Sequence, residues 1–340
     1  MNQNPDYTFY PNQSPTPPIS PLPQADLPRA RKAVGICAAA VAMVFLLATV
    51  AQFLMHGIVS IVYPALIEND WYIWLLSSVP MYLVAMPVAY LFMRLVPAQK
   101  PQKKKLHPLM WIGFLCLCFA VTYVANILGQ YFSYWFSNLT GIQIENELEE
   151  MTVNTPFALN LLFVGILAPV FEELFFRKAV IDRLRRYGDL PAVLISGLAF
   201  GLVHGNFNQV FYTVAVGVLL SFIYVRTGSV LYTISIHAAF NFVGGVYSTE
   251  LLRRVGETLT PAEGDVVGII MVAAYALFMI ASLIVGTIFF IVNVKKFYQS
   301  LQKGEEHLSF GEWMRVIFRN PGVWMFLAMV ALLFVSSLLM

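Results

Sequence analysis

Two adjacent carboxylates, an arginine, two histidines and an asparagine stand in three neighbouring apolar stretches. The first reads Phe171-Glu172-Glu173-Leu174-Phe175-Phe176-Arg177, the second Phe200-Gly201-Leu202-Val203-His204, the third His237-Ala238-Ala239-Phe240-Asn241. A charged side chain at the centre of a bilayer costs at least about 2.5–3.5 kcal/mol, so each needs a reason to be there. On a helix Glu173 and Arg177 are i,i+4 and suit an internal ion pair. Glu172 points roughly 100° away from Glu173 and faces something else. His237 and Asn241, also i,i+4, reach into one space. The chemistry that fits is water activation. A buried Glu serves as general base or acid, a neighbouring His shares the same water, and Asn and a second His supply donors for a developing oxyanion. That set hydrolyses an amide without a Ser or Cys nucleophile. Two other readings of the same residues stay open at this point. Glu172, His204 and His237 are the two His and one carboxylate of a zinc site, although no His-Glu-x-x-His is present, and small buried polar clusters also glue helices together.

The elements that must hold these residues follow from turns and spacing. Tyr187-Gly188-Asp189-Leu190-Pro191 has Gly to end one helix and Pro to open the next. A hairpin folded at Gly188 sets Glu172 level with His204, each roughly 20–25 Å from the turn. His237 lies nine positions beyond Gly228, roughly 13 Å up. The three groups therefore meet at one depth, within the membrane and nearer its inner side.

Composition makes lipid the solvent for most of this chain of 340 residues. Hydrophobic residues are 59% and charged residues 12%, about half the charged share of a globular domain, and mean hydropathy is +0.70. An ordinary cytosolic enzyme and a largely disordered protein are excluded, and a net charge of +2 is too small to point to nucleic acid. Cys37, Cys116 and Cys118 lie in apolar runs, which argues against a disulfide framework or a cysteine-based zinc site. The predicted fold is all-α, a polytopic transmembrane helix bundle of nine spans, with eight as the alternative. The spans are about 34–57, 72–94, 108–132, 155–178, 191–206, 209–225, 230–248, 266–293 and 322–340.

Lys and Arg near the span ends set the orientation. Arg29, Arg31 and Lys32, then Lys100, Lys103, Lys104 and Lys105, then Lys178, Arg183, Arg185 and Arg186, then Arg226, then Lys295, Lys296 and Lys303 mark every second loop. The acidic Glu145, Glu147, Glu149 and Glu150 fall outside, and only Arg253 and Arg254 dissent. The N-terminus is expected in the cytoplasm and the C-terminus outside. Four regions follow: a disordered Pro-rich tail (1–28) without signal-peptide character, N-terminal spans with the acidic outer loop (29–150), a catalytic helix core (151–248), and C-terminal spans (249–340). In the inner loop 295–320, Phe310, Trp313, Val316 and Ile317 form an amphipathic stretch expected to rest on the membrane surface.

The ordered set Glu-Glu-x-x-x-Arg, Phe-x-x-x-His and His-x-x-x-Asn resembles the CAAX-protease and bacteriocin-processing family of intramembrane endopeptidases, also called the abortive-infection membrane family. The resemblance covers roughly 155–248, and its specificity lies in the ordered set rather than in any single motif. It implies a glutamate-dependent protease cleaving membrane-associated proteins or peptides near the cytosolic membrane boundary, from a cavity opening to the cytosol. Glu172 and His204 would activate water, Arg177 would hold Glu173, and His237 with Asn241 would stabilise the oxyanion. Members of the family are often labelled metalloproteases; a metal-free mechanism is the favoured reading here. The implied partners are the lipid bilayer, in a bacterial plasma membrane, and a membrane-associated substrate. Rival functions are a non-catalytic immunity or scaffold protein that retains the motif, and a proton-coupled transporter. Against transport, the polar residues sit in one block rather than in two matching halves.

Overall fold

The computed structural model describes residues 26–69, 71–142, 144 and 151–339. The Pro-rich stretch up to residue 25 and Glu145, Glu147, Glu149 and Glu150 lie outside the described residues. Among the described residues the chain is helical and has no strand, in agreement with an all-α bundle. Eight helices are long and apolar enough to span a membrane: α1 (Leu27–Val62), α2 (Tyr72–Met93), α3 (Pro108–Thr140), α4 (Phe157–Tyr187), α6 (Phe207–Thr227), α7 (Val230–Val255), α8 (Val266–Gln299) and α10 (Pro321–Leu339). A shorter helix, α5 (Asp189–Leu202), and a nine-residue helix, α9 (Phe310–Phe318), complete the set. The protein is an integral membrane protein: large apolar side chains such as Ile61, Leu109 and Leu277 face outward, where only lipid can cover them.

Nine segments therefore run up and down, of which the fifth is short. At about 1.5 Å per residue the 14 residues of α5 rise roughly 21 Å, less than the roughly 30 Å hydrocarbon core. Its top is therefore inside the bundle. There the chain turns through His204 and Gly205, whose φ of +62° is open to glycine at little cost. Asn206 then starts α6 by accepting a hydrogen bond from the Asn208 amide at 2.7 Å.

The helix pair α5–α6 is held by missing side chains. A Cβ on Gly197 would sit 2.6 Å from the backbone nitrogen of Val218, and one on Gly201 2.5 Å from that of Val214. The obstacle at both places is main chain, so the two helices pack at backbone distance, as small residues allow in membranes. Gly201→Ala is expected to push α5 off α6 and destabilise the protein by about 1–3 kcal/mol. A lowered thermal unfolding midpoint in detergent would report it; an unchanged midpoint would refute the tight packing.

The basic loops gather at one end of the bundle. The Lys104 amide donates to the Thr227 carbonyl at 2.7 Å, the Asp189 amide to the Gln302 carbonyl at 3.0 Å, and Arg226 to the Ser300 carbonyl at 2.9 Å. Arg186 pairs with Glu306 at 2.7 Å, and Asn320 donates to the Arg31 carbonyl at 2.7 Å, tying the start of α10 to that end. Arg253 and Arg254, the two that break the sequence pattern, lie at the opposite end. Glu250 pairs with Arg253, and Asp265 with Arg254 at 2.6 Å. Their charges are locally offset, which weakens them as orienting signals.

One expectation is corrected. Trp313 and Val316 do not lie on a membrane surface: Val316 is buried and Trp313 meets Tyr187 edge-on at 6.2 Å. The apolar stripe of α9 docks on the protein, where it covers the loop ends, and only Phe310 and Phe318 project outward.

Candidate active site

The three motifs converge through two irregular helices. α4 widens into π turns over Leu161–Leu167 and Glu173–Ile181, and α7 over Phe242–Tyr247. Such turns cluster at functional sites; here one begins at Glu173 and contains Arg177, and another follows directly on Asn241.

Glu173 and Arg177 form the buried foundation. Arg177 Nε donates to Glu173 Oε2 at 3.0 Å with both side chains wholly buried. The guanidinium also donates to Ser196 on α5 and Ser221 on α6, each at 3.2 Å, and lies over the Phe200 ring at 4.6 Å. Arg177 thus joins three helices, with Glu173 as its counter-charge, while its Nη2 has no hydrogen-bond partner among the described residues. Phe200 serves as a spacer as well, meeting His204 edge-on at 5.0 Å and His237 at 5.7 Å.

His237 sits between the two glutamates. Its Nδ1 is 3.1 Å from Glu173 Oε1 and its Nε2 is 3.8 Å from Glu172 Oε2. A carboxylate only accepts, so Nδ1 carries the hydrogen and Nε2 is the atom presented to Glu172. Glu173 therefore does more than balance Arg177: it fixes the tautomer and direction of the His237 ring. His204 Nδ1 is 2.8 Å from the Phe200 carbonyl, another obligate acceptor. With that hydrogen committed, His204 Nε2 keeps a lone pair.

Glu172, His204, His237 and Asn241 all line one cavity of about 1000 Å³; Glu173 and Arg177 lie behind it. Asn241 donates one hydrogen to the Val164 carbonyl, in a π turn of α4, at 2.9 Å. Its amide nitrogen has a second one. The six singled-out residues are thus brought into one assembly, with Glu172 and Glu173 on different sides of it as the helical spacing required. Ser196, Ser221 and the supporting role of Phe200 were not foreseen. Serines in apolar helices carry no signal by themselves, and only the hairpin shows which of them meet Arg177.

Two expectations meet the geometry differently. Among the described residues no three His, Cys, Asp or Glu side chains are grouped so as to hold a metal ion. Glu173 on one nitrogen of His237 and the Phe200 carbonyl on one of His204 leave Nε2 of each ring as the atom turned to the cavity. The cavity, in turn, does not open towards the basic loops. Its lining runs from Glu172 and His237 away from that end, to Met151, Asn206 and Leu252. On the basic side the packed layer of Glu173, Arg177, Ser196, Leu220 and Ser221 closes it.

A polytopic helix bundle with a carboxylate–histidine centre inside the membrane is the class these features define. Residues 154–243 match the family model described as Type II CAAX prenyl endopeptidase Rce1-like, and the three motifs lie within the matched segment. Among curated proteins the chain is similar to YdiL of Bacillus subtilis (strain 168), assigned as a membrane peptidase. The two are 28% identical over 194 residues, covering 55% of this chain and 77% of YdiL. It is also similar to MroQ, a membrane-embedded CAAX protease of Staphylococcus aureus (strain USA300). That match is 25% identical over 169 residues, 46% of this chain and 66% of MroQ. No solved structure matches the chain. These likenesses support a membrane protease of CAAX-protease type.

Proposed function

We propose that this protein is a glutamate-dependent intramembrane endopeptidase acting on membrane-associated proteins or peptides in a bacterial plasma membrane, with the basic loops in the cytoplasm. The observation that carries the reading is that Glu172 of α4, His204 of the turn after α5, and His237 and Asn241 of α7 face one cavity over a buried Glu173–Arg177 pair.

The roles follow from the free atoms. Glu172 takes a proton from a water that also hydrogen-bonds His204 Nε2, and the oxygen attacks the substrate carbonyl carbon. The C=O π bond opens to an oxyanion, which the remaining N–H of Asn241 stabilises together with His237 acting as an imidazolium, its Nδ1–H held by Glu173 and its second N–H, at Nε2, turned to the oxyanion. The C–N bond then breaks as the oxyanion collapses, and Glu172 passes its proton to the leaving amine. No metal enters these steps.

The reading is tested in native membranes by quantitative proteomics of membrane-proximal fragments. Wild type, Glu172→Gln and His204→Ala are compared at equal protein level. Fragments present in wild type are expected to vanish in both variants; identical patterns in all three would end the enzyme reading. Treating the purified, active protein with 1,10-phenanthroline is expected to leave cleavage unchanged. Loss of activity, restored by Zn2+, would replace the metal-free mechanism with one using a bound metal.

A further inference from the structure

The site is reached, we infer, from the end of the bundle opposite the basic loops, by an extended, uncharged peptide segment. The inference rests on the protease reading and adds to it the direction of entry and the chemistry of the substrate.

The direction comes from which part of each helix lines the cavity. The basic end lies at the start of α3, α7 and α10 and at the end of α6 and α8. From that end, the lining begins only at Phe119 on α3, Val216 on α6, His237 on α7, Met279 on α8 and Leu333 on α10. It continues to Gln130, Asn208, Leu252, Tyr275 and Ser337, always away from the basic loops. Every helix gives the same answer, so the asymmetry belongs to the whole cavity and not to one rotamer. Below the site, Arg177, Ile181, Leu184, Leu220 and Ile223 are fully buried and leave no path. The Arg177 network with Ser196 and Ser221 is the floor of the cavity.

The chemistry comes from the lining. It contains no Lys or Arg, and Glu172 is its one carboxylate among the described residues. Apart from the imidazoles of His204 and His237, the remaining polar groups are amides and hydroxyls, including Asn126, Gln209, Ser248 and Thr249, set among Trp74, Tyr212 and other aromatics. A phosphate headgroup would find no Lys or Arg here. Neutral donors and acceptors at several depths instead match the N–H and C=O groups of an unwound peptide, which must be satisfied away from water. A charged residue near the cut would enter with no partner of opposite sign among the described residues, save at the catalytic Glu172 and His237 themselves.

Accessibility of single cysteines tests the direction without any cleavage readout. Ser248→Cys and Asn126→Cys, on two different helices, are exposed to a membrane-impermeant charged maleimide in right-side-out and inside-out vesicles. Lys303→Cys marks the basic end, and the wild-type chain with Cys37, Cys116 and Cys118 is the blank. Folding of each variant is checked by a monodisperse profile in detergent. Both cavity positions are expected to react in right-side-out vesicles and to stay at the blank in inside-out ones, with Lys303→Cys the reverse. Reaction of a cavity cysteine from the same side as Lys303→Cys, or from neither side, overturns the inferred entry. If fragments fail to vanish in Glu172→Gln, the protease reading falls while the labelling result stands. Cut sites mapped in fragments that do vanish are expected in uncharged stretches; acidic residues flanking them would refute the inferred substrate chemistry.

Discussion

Glu172→Gln is expected to lower peptide cleavage by about 10²–10⁴-fold, the contribution typical of a positioned general acid–base group. The same change is expected to leave the fold intact. Glu172 lines the cavity, and its side chain is 21% exposed. The imidazole of His237 approaches it with Nε2 at 3.8 Å, beyond a direct hydrogen bond. Glutamine keeps the shape and loses only the ability to take the proton from water. The measurement is the turnover of purified wild type and variant in liposomes on a substrate taken from the fragment comparison, with thermal unfolding recorded in parallel. Full activity in Glu172→Gln would remove the general base from this position. Lost activity accompanied by an equally large loss of stability would make Glu172 a structural group.

Arg177→Met is expected to have the opposite profile, a large loss of stability ahead of any chemistry. Removing one partner of a buried ion pair costs about 3–5 kcal/mol because the other charge stays behind. Here Glu173 would remain wholly buried with only His237 and the Thr233 hydroxyl to answer it, and Ser196 and Ser221 would lose their common partner. The double variant Glu173→Gln/Arg177→Met removes both charges and is expected to recover much of that stability. It is not expected to recover cleavage, because glutamine at 173 no longer holds the His237 ring as a carboxylate does. Unfolding midpoints of the two variants decide the matter. Equal midpoints for Arg177→Met and wild type would mean that the pair carries no structural load. A double variant no more stable than the single one would mean that the cost lies in lost packing against Phe200 instead of in an orphaned charge.

Taken together, the two substitutions separate layers that lie one residue apart in the chain. Glu172 and Glu173 have the same side chain, yet one faces the cavity and the other a closed ionic network. The difference arises from helix geometry alone, since neighbouring residues diverge by about 100°. That divergence was legible in the sequence, as was the i,i+4 pairing of Glu173 with Arg177, because both depend on the period of one helix. The all-helical membrane architecture was legible for a similar reason. Hydropathy and turn residues act locally, and a run of apolar residues in lipid has few options besides a helix. The clustering of Arg29, Lys104, Arg186 and Lys303 in alternate loops also needed no tertiary information, and the loop-to-loop hydrogen bonds now join those loops at one end.

What lay beyond the sequence was set by contacts between helices. The short α5 ends inside the bundle because Gly197 and Gly201 let it lie against the α6 backbone, a fact about two helices at once. His237 bonds to Glu173 rather than facing the cavity with both nitrogens, because the hairpin and α7 meet at a particular rotation. Trp313 and Val316 turn onto protein, since an amphipathic stripe reads the same whether its partner is lipid or Tyr187. The direction of the cavity is the plainest case. Whether the space above or below a polar cluster is filled depends on side chains from α3, α6, α8 and α10, none of which belongs to the motifs. Local pattern determines what each helix is and which groups it carries; packing of many helices determines which side of those groups is left open.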